Sequence, residues 1–120
     1  MRALAVIAAI GALAVLIGAA EAGAAAPQRM QVTQDEWSLV LSRQVLRAGP
    51  ALIEVFNIGQ DGHDLVMLRK TAGAKSVRVK KLDHFMRAEL NVRLAKGTYT
   101  LWCSLPNHRK RGMVATLRVR

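Results

Sequence analysis

From Met30 onward the chain is written in a two-residue rhythm, apolar positions alternating with polar ones and broken by Gly and Pro, which is the period of strands rather than helices. Gln31 to Ser42 carries Trp37, Leu39 and Leu41 on one face and Ser38 and Ser42 on the other, and is predicted as a strand. A second short strand over Val45 to Ala48 is expected to end at a Gly49-Pro50 turn. Ala51 to Ile58 is apolar on both faces and reads as a central strand. Asn57 to Gly62 then reads as a loop that delivers His63, and Asp64 to Leu68 as the next strand. Residues 69 to 76 are a polar surface connection. Val77 and Val79 alternate with Arg78 and Lys80, an edge strand whose cations discourage pairing with other chains. Lys81 to Arg87 has no clear period and is predicted as a loop with a turn of helix. Leu90, Val92 and Leu94 alternate with polar neighbours, and Lys96-Gly97 turns the chain. Tyr99, Leu101 and Cys103 then share one face, and Met113, Ala115, Leu117 and Val119 share one face of the closing strand.

Seven to eight short strands without an amphipathic helix predict an all-β sandwich over residues 30–120. The text before it is of another kind. Arg2 is followed by an unbroken run of small apolar residues from Ala3 to Ala20, then by Ala20-Glu21-Ala22, a small-x-small site of the sort signal peptidase cuts. Residues 1–22 are therefore read as an export signal and 23–29 as a short lead, which places the mature domain in the periplasm or outside the cell. The apolar run is just long enough to act instead as an uncleaved membrane anchor. Its Ala- and Gly-rich make-up, single flanking cation and cleavage-like end favour removal.

Charge changes the picture less than its size suggests. The net charge is +10, and removing residues 1–22 takes away one Arg and one Glu, leaving the same value. A small basic domain raises the question of nucleic acid. Two Trp, one Tyr and two Phe are too few and too scattered for a base-stacking platform, and the basic residues are spread over many segments. The field better suits steering toward an acidic partner protein or an anionic membrane surface. The single cysteine excludes an internal disulfide. An unpaired thiol in an oxidising compartment calls for an occupant, and metal ligation is one.

Candidate chemistry gathers around that cysteine. Cys103, His108 and Met113 stand at Cys-x4-His-x4-Met spacing, and His63 lies upstream at the end of an apolar segment. A thiolate, two imidazoles and a thioether suit copper, because soft sulfur favours Cu(I) while a His2Cys set with a weak axial Met also accepts Cu(II). Period two turns the Cys103 and Met113 side chains into the core at one end of the sandwich. Pro106 stiffens the loop between them and Gly112 turns it back, which is expected to put His108 at an exposed tip. Singly, each residue has an ordinary explanation as core filler, strand cap or surface group; jointly they converge. His84 has no partner nearby in sequence, and Met30, Met67 and Met86 are isolated.

These segments resemble the cupredoxins, the small blue copper proteins related to plastocyanin, azurin and sulfocyanin. The likeness spans residues 30–120 and is carried by Ala51-Leu52-Ile53-Glu54-Val55-Phe56-Asn57-Ile58-Gly59, by Gly62-His63-Asp64-Leu65, and by Gly97-Thr98-Tyr99-Thr100-Leu101-Trp102-Cys103 through Met113. It implies a Greek-key β-sandwich holding one type 1 copper ion, with His63, Cys103 and His108 as equatorial ligands and Met113 as the axial one. It also implies an electron carrier rather than an enzyme. Arg109, Lys110 and Arg111 beside His108 would make the electron port positive and its redox partner acidic. Three departures stand out. Asn107 occupies a place where many members have Gly, Asp64 one where plastocyanin and azurin often have a loop-bracing Asn, and the spacing to Met113 is closer to sulfocyanin. The rival readings are a carrier that hands over Cu(I), against which the lack of Met-rich or His-rich tracts weighs, and a metal-free sandwich used for protein contacts.

Overall fold

The alternating text folds into two stacked sheets in the computed structural model, which describes Gly18, Gly23 and residues 25–120. The expected export signal lies, apart from Gly18, outside the described residues. The strands are β1 (Gln28–Asp35), β2 (Ser38–Leu41), β3 (Val45–Leu46), β4 (Gly49–Asn57), β5 (His63–Arg69), β6 (Val77–Leu82), β7 (Arg87–Leu94), β8 (Gly97–Trp102) and β9 (Val114–Val119). A single helical turn, α1 (His108–Arg111), sits between β8 and β9. One sheet has the order β2-β1-β4-β7 and the other β3-β9-β8-β5-β6. Among the described residues no helix is long and apolar enough to cross a membrane.

Inward residues of the two sheets form the core. Val32, Ile53 and Val55 of the first meet Leu65, Met67, Leu101 and Leu117 of the second, each at most 1% exposed. Burying one such side chain contributes about 1.5–3 kcal/mol, and together they make the rigid frame on which the loops rest. β4 is central, parallel to β1 and antiparallel to β7. β6 lies at a sheet edge, as its alternating cations predict.

Three expectations are corrected. Gln31 to Ser42 is not one strand: β1 and β2 form an antiparallel hairpin turned at Glu36 and Trp37. The Asp35 carboxylate accepts the Glu36 N–H at 2.8 Å and holds that turn without Gly or Pro. Gly49-Pro50 opens β4 instead of turning the chain, and β1 begins pairing only at Ala51, so Pro50 lies at the fringe where a missing N–H is tolerated. Residues 83–86 contain no helical turn; they form a loop held by Asn57 and Phe85 main-chain bonds.

The topology collects four connections at one end: residues 36–37, 58–62, 83–86 and 103–113. Asn57, fully buried, ties two of them together. Its Nδ2 donates to the carbonyls of Asp61 at 2.8 Å and Leu82 at 2.9 Å, and its Oδ1 accepts the Gly59 N–H at 2.9 Å. Gln34, also fully buried, crosses between the sheets by donating to the Asp64 carbonyl at 2.8 Å.

Candidate metal centre

His63 is the first residue of β5 and fully buried, its approach fixed by the Asn57-braced loop. Cys103 follows β8 directly, on the inward face that Tyr99 and Leu101 share, and is also fully buried. His108 opens α1. The Nδ1 atoms of His63 and His108 are 3.1 Å apart, and Cys103 Sγ lies 3.5 Å from His108 Nδ1. Donor atoms of these three residues all fall within 4.8 Å of one another. That spacing lets one ion touch all three.

Met113, the fourth expected ligand, is fully buried and joined to the others through the main chain. Its N–H donates to the His108 carbonyl at 3.2 Å, and its carbonyl accepts the Cys103 N–H at 3.1 Å. The loop closes on itself this way because two residues adopt positive φ. Asn107, at φ 66, flanks α1 on one side, a conformation Asn tolerates. Gly112, at φ 128, flanks it on the other, and a Cβ there would lie 2.6 Å from the Trp37 carbonyl oxygen.

Asp64 takes the bracing role expected of an Asn. Its Oδ1 accepts the Ser104 N–H at 2.6 Å, and its Oδ2 accepts the Ser104 hydroxyl. The residue following Cys103 is thereby clamped to the residue following His63. His84 lies elsewhere, with Nδ1 donating to the Gly59 carbonyl at 2.6 Å.

Two residues not expected at the site belong to it: Glu36 and Trp37. The Glu36 carboxylate meets His63 Nε2 at 2.7 Å and accepts the N–H groups of Gln60 and Asp61, each at 2.9 Å. Trp37 packs edge-on against both imidazoles, its ring centroid 6.2 Å from His63 and 4.7 Å from His108. His108 is therefore half-buried under an indole instead of standing at an exposed tip. No local signal marks the pair, because the apolar rhythm of Trp37, Leu39 and Leu41 runs straight through the turn.

Around the centre the cations are parked on rings. The Arg109 guanidinium stands 4.7 Å from the Trp102 ring centroid and that of Arg111 4.4 Å from Trp37. Both side chains, with Lys110, are exposed beside His108. Inside, the charges are held back. Burial pushes the Cys103 thiol up, Asp64 adds to this, and main-chain contacts offset part of it. Burial likewise lowers His108, helped by His63 and Arg111 and opposed by Asp61 and Asp64. At Glu36 burial pulls upward, but the Gln60 and Asp61 N–H donors and His63 outweigh it and hold the carboxyl at about 2. Burial thus favours the neutral thiol at Cys103 and the neutral imidazole at His108, and a cation binding the sulfur displaces the thiol proton.

No protein-family model and no curated protein matches the chain. Among solved structures it is similar to reduced auracyanin from Roseiflexus castenholzii, at 14% identity and TM-score 0.64, with 80% of this chain and 99% of that one covered. Auracyanin A, a "blue" copper protein from Chloroflexus aurantiacus, aligns at 14% identity and TM-score 0.64 over 79% of this chain and all of that one. A Cu(I) amicyanin variant aligns at 13% identity and TM-score 0.56, covering 77% and 82%. What the chain shares with these proteins is the cupredoxin sandwich.

Proposed function

We propose that His63, Cys103 and His108, with Met113 as axial donor, hold one type 1 copper ion, and that the protein shuttles single electrons between redox partners outside the cytoplasm. The observation that carries this reading is the convergence of two imidazole nitrogens and one sulfur within 4.8 Å on strand ends and a clamped loop. The donor set fits: nitrogen and soft sulfur in a His2Cys arrangement suit copper above the hard cations. Copper bound there supplies a Cu(I)/Cu(II) couple. The chain's own task is to hold the donors in one arrangement for both states, so that little has to move when an electron arrives or leaves. Nothing in that task is bond-making, and the reading is not of an enzyme.

His108, half-buried and next to the surface, is the proposed port. Arg109, Lys110 and Arg111 surround it with positive charge, which supports an acidic partner over a neutral one. Steering of that kind weakens as salt screens it. Residues 1–22 are proposed as the export signal that delivers the domain to the periplasm or beyond.

The test is to add Cu(II) to the purified domain, residues 23–120, and record the visible spectrum. An intense thiolate-to-copper band, lost in Cys103→Ser, is expected. Reduced protein that stays colourless with added Cu(II) refutes the reading.

A further inference from the structure

The hairpin turn between β1 and β2 is bound to the centre through both Glu36 and Trp37. Glu36 accepts from the ring of His63 and from two main-chain N–H groups of the loop that precedes it. A Cβ at Gly59 would overlap the Glu36 carboxylate, so that loop is shaped around the acid. Trp37 touches both imidazoles, the Arg111 guanidinium lies over its ring, and its carbonyl packs against Gly112. Glu36 is 23% exposed and His63 not at all. This is an anchored carboxylate, not a surface acid that happens to reach a histidine.

We propose that Glu36 is the positioning residue of the centre: by accepting the His63 ring proton at Nε2, it leaves the Nδ1 lone pair directed at Cys103 and His108. A carboxylate oxygen only accepts, so the nitrogen 2.7 Å from it carries the hydrogen. A neutral imidazole has one ring hydrogen, and placing it on Nε2 frees Nδ1. The alternative tautomer would set a ring lone pair against the carboxylate oxygen 2.7 Å away, which is repulsive, and would occupy Nδ1 with a hydrogen. Two main-chain donors also grip the carboxylate, so it stays in place to receive the ring hydrogen, and turning the ring away would break the 2.7 Å bond to it. The inference rests on the metal-site reading only for the identity of what Nδ1 receives.

The experiment uses the metal-free protein in mildly alkaline buffer and reads the His63 tautomer from long-range 1H–15N NMR correlations. The expected result is the Nε2–H form, with Glu36→Ala shifting His63 toward a mixture of forms. In parallel, Cu(I) alone is titrated against a chromophoric Cu(I) chelator, and Glu36→Ala is expected to weaken binding about 10–100-fold, the usual cost of losing such a partner. An Nδ1–H form in the unaltered protein overturns the proposal, and needs no variant to fold. So does a variant that keeps both the tautomer and the affinity. Failure of the copper reading would appear separately, as no visible band with the metal-free tautomer intact.

Discussion

Replacing Asn57 by Ala should loosen the end of the sandwich from which His63 projects. The side chain is fully buried and makes three hydrogen bonds, two given to the Asp61 and Leu82 carbonyls and one received from the Gly59 N–H. At about 0.5–1.5 kcal/mol net for each bond, and more where a buried partner is left without water, the loss should be roughly 2–4 kcal/mol. For a domain of this size that is a large share of a total of about 5–15 kcal/mol and corresponds to a fall in Tm of about 10–25 °C. Urea unfolding of the metal-free protein measures it directly: the midpoint should drop while the slope stays constant. Asn57→Asp supplies a control on the cause, since a carboxylate can still accept from Gly59 but turns oxygen toward both carbonyls. It should be at least as harmful as Ala. A loss below about 0.5 kcal/mol for either variant would refute the claim that this amide fastens the loops, because a single retained bond is worth as much.

Three further outcomes follow from the centre. Because burial pushes the Cys103 thiol up, metal binding should release about one proton from it; calorimetry in buffers of different ionisation enthalpy reads this, and affinity should rise with pH. The Glu36 carboxyl is depressed from 4.5 to about 2, so its contribution to stability is fully present above about 4.5 and is lost as pH falls toward 2. The stability gap between the unaltered protein and Glu36→Gln, measured by denaturant unfolding, should close over that window, and a gap constant across it would contradict the assignment. Gly112→Ala places a Cβ 2.6 Å from the Trp37 carbonyl at φ 128; a cost of about 1–3 kcal/mol is expected, with weaker Cu(I) binding in the same chelator competition.

The convergence of candidate donors was the most legible part of the sequence. His63, Cys103 and His108 are rare residue types at informative spacing, and the structure brings their donor atoms within 4.8 Å of one another; period two alone turned the Cys103 and Met113 side chains inward, where both are fully buried. The core strands β7, β8 and β9 were equally readable from their alternation, while β4 and β5 were recognised from their apolar runs with starts one or two residues late. What escaped was set by tertiary partners. The turn at Glu36 and Trp37 contains no Gly, Pro or Asn, and the apolar rhythm on its two sides is continuous, so one strand was expected where two pair. His108 looked exposed from its own loop, because the indole that covers it comes from the other sheet. The Asp64 clamp on Ser104 joins two residues forty positions apart, a pairing that only the packed β5–β8 contact reveals.

Gly59 and Glu36 occupy one volume between them, the acid filling the space that a side chain at 59 would need. A side chain at 59 would have to push the carboxylate off its two main-chain donors, so the two positions are coupled. A lineage that keeps the acid in place is expected to favour glycine, whereas one that shortens residue 36 is released to enlarge residue 59. Such a pair leaves a correlated trace across diverging sequences, and would mark chains that inherit this hairpin even where overall identity has decayed.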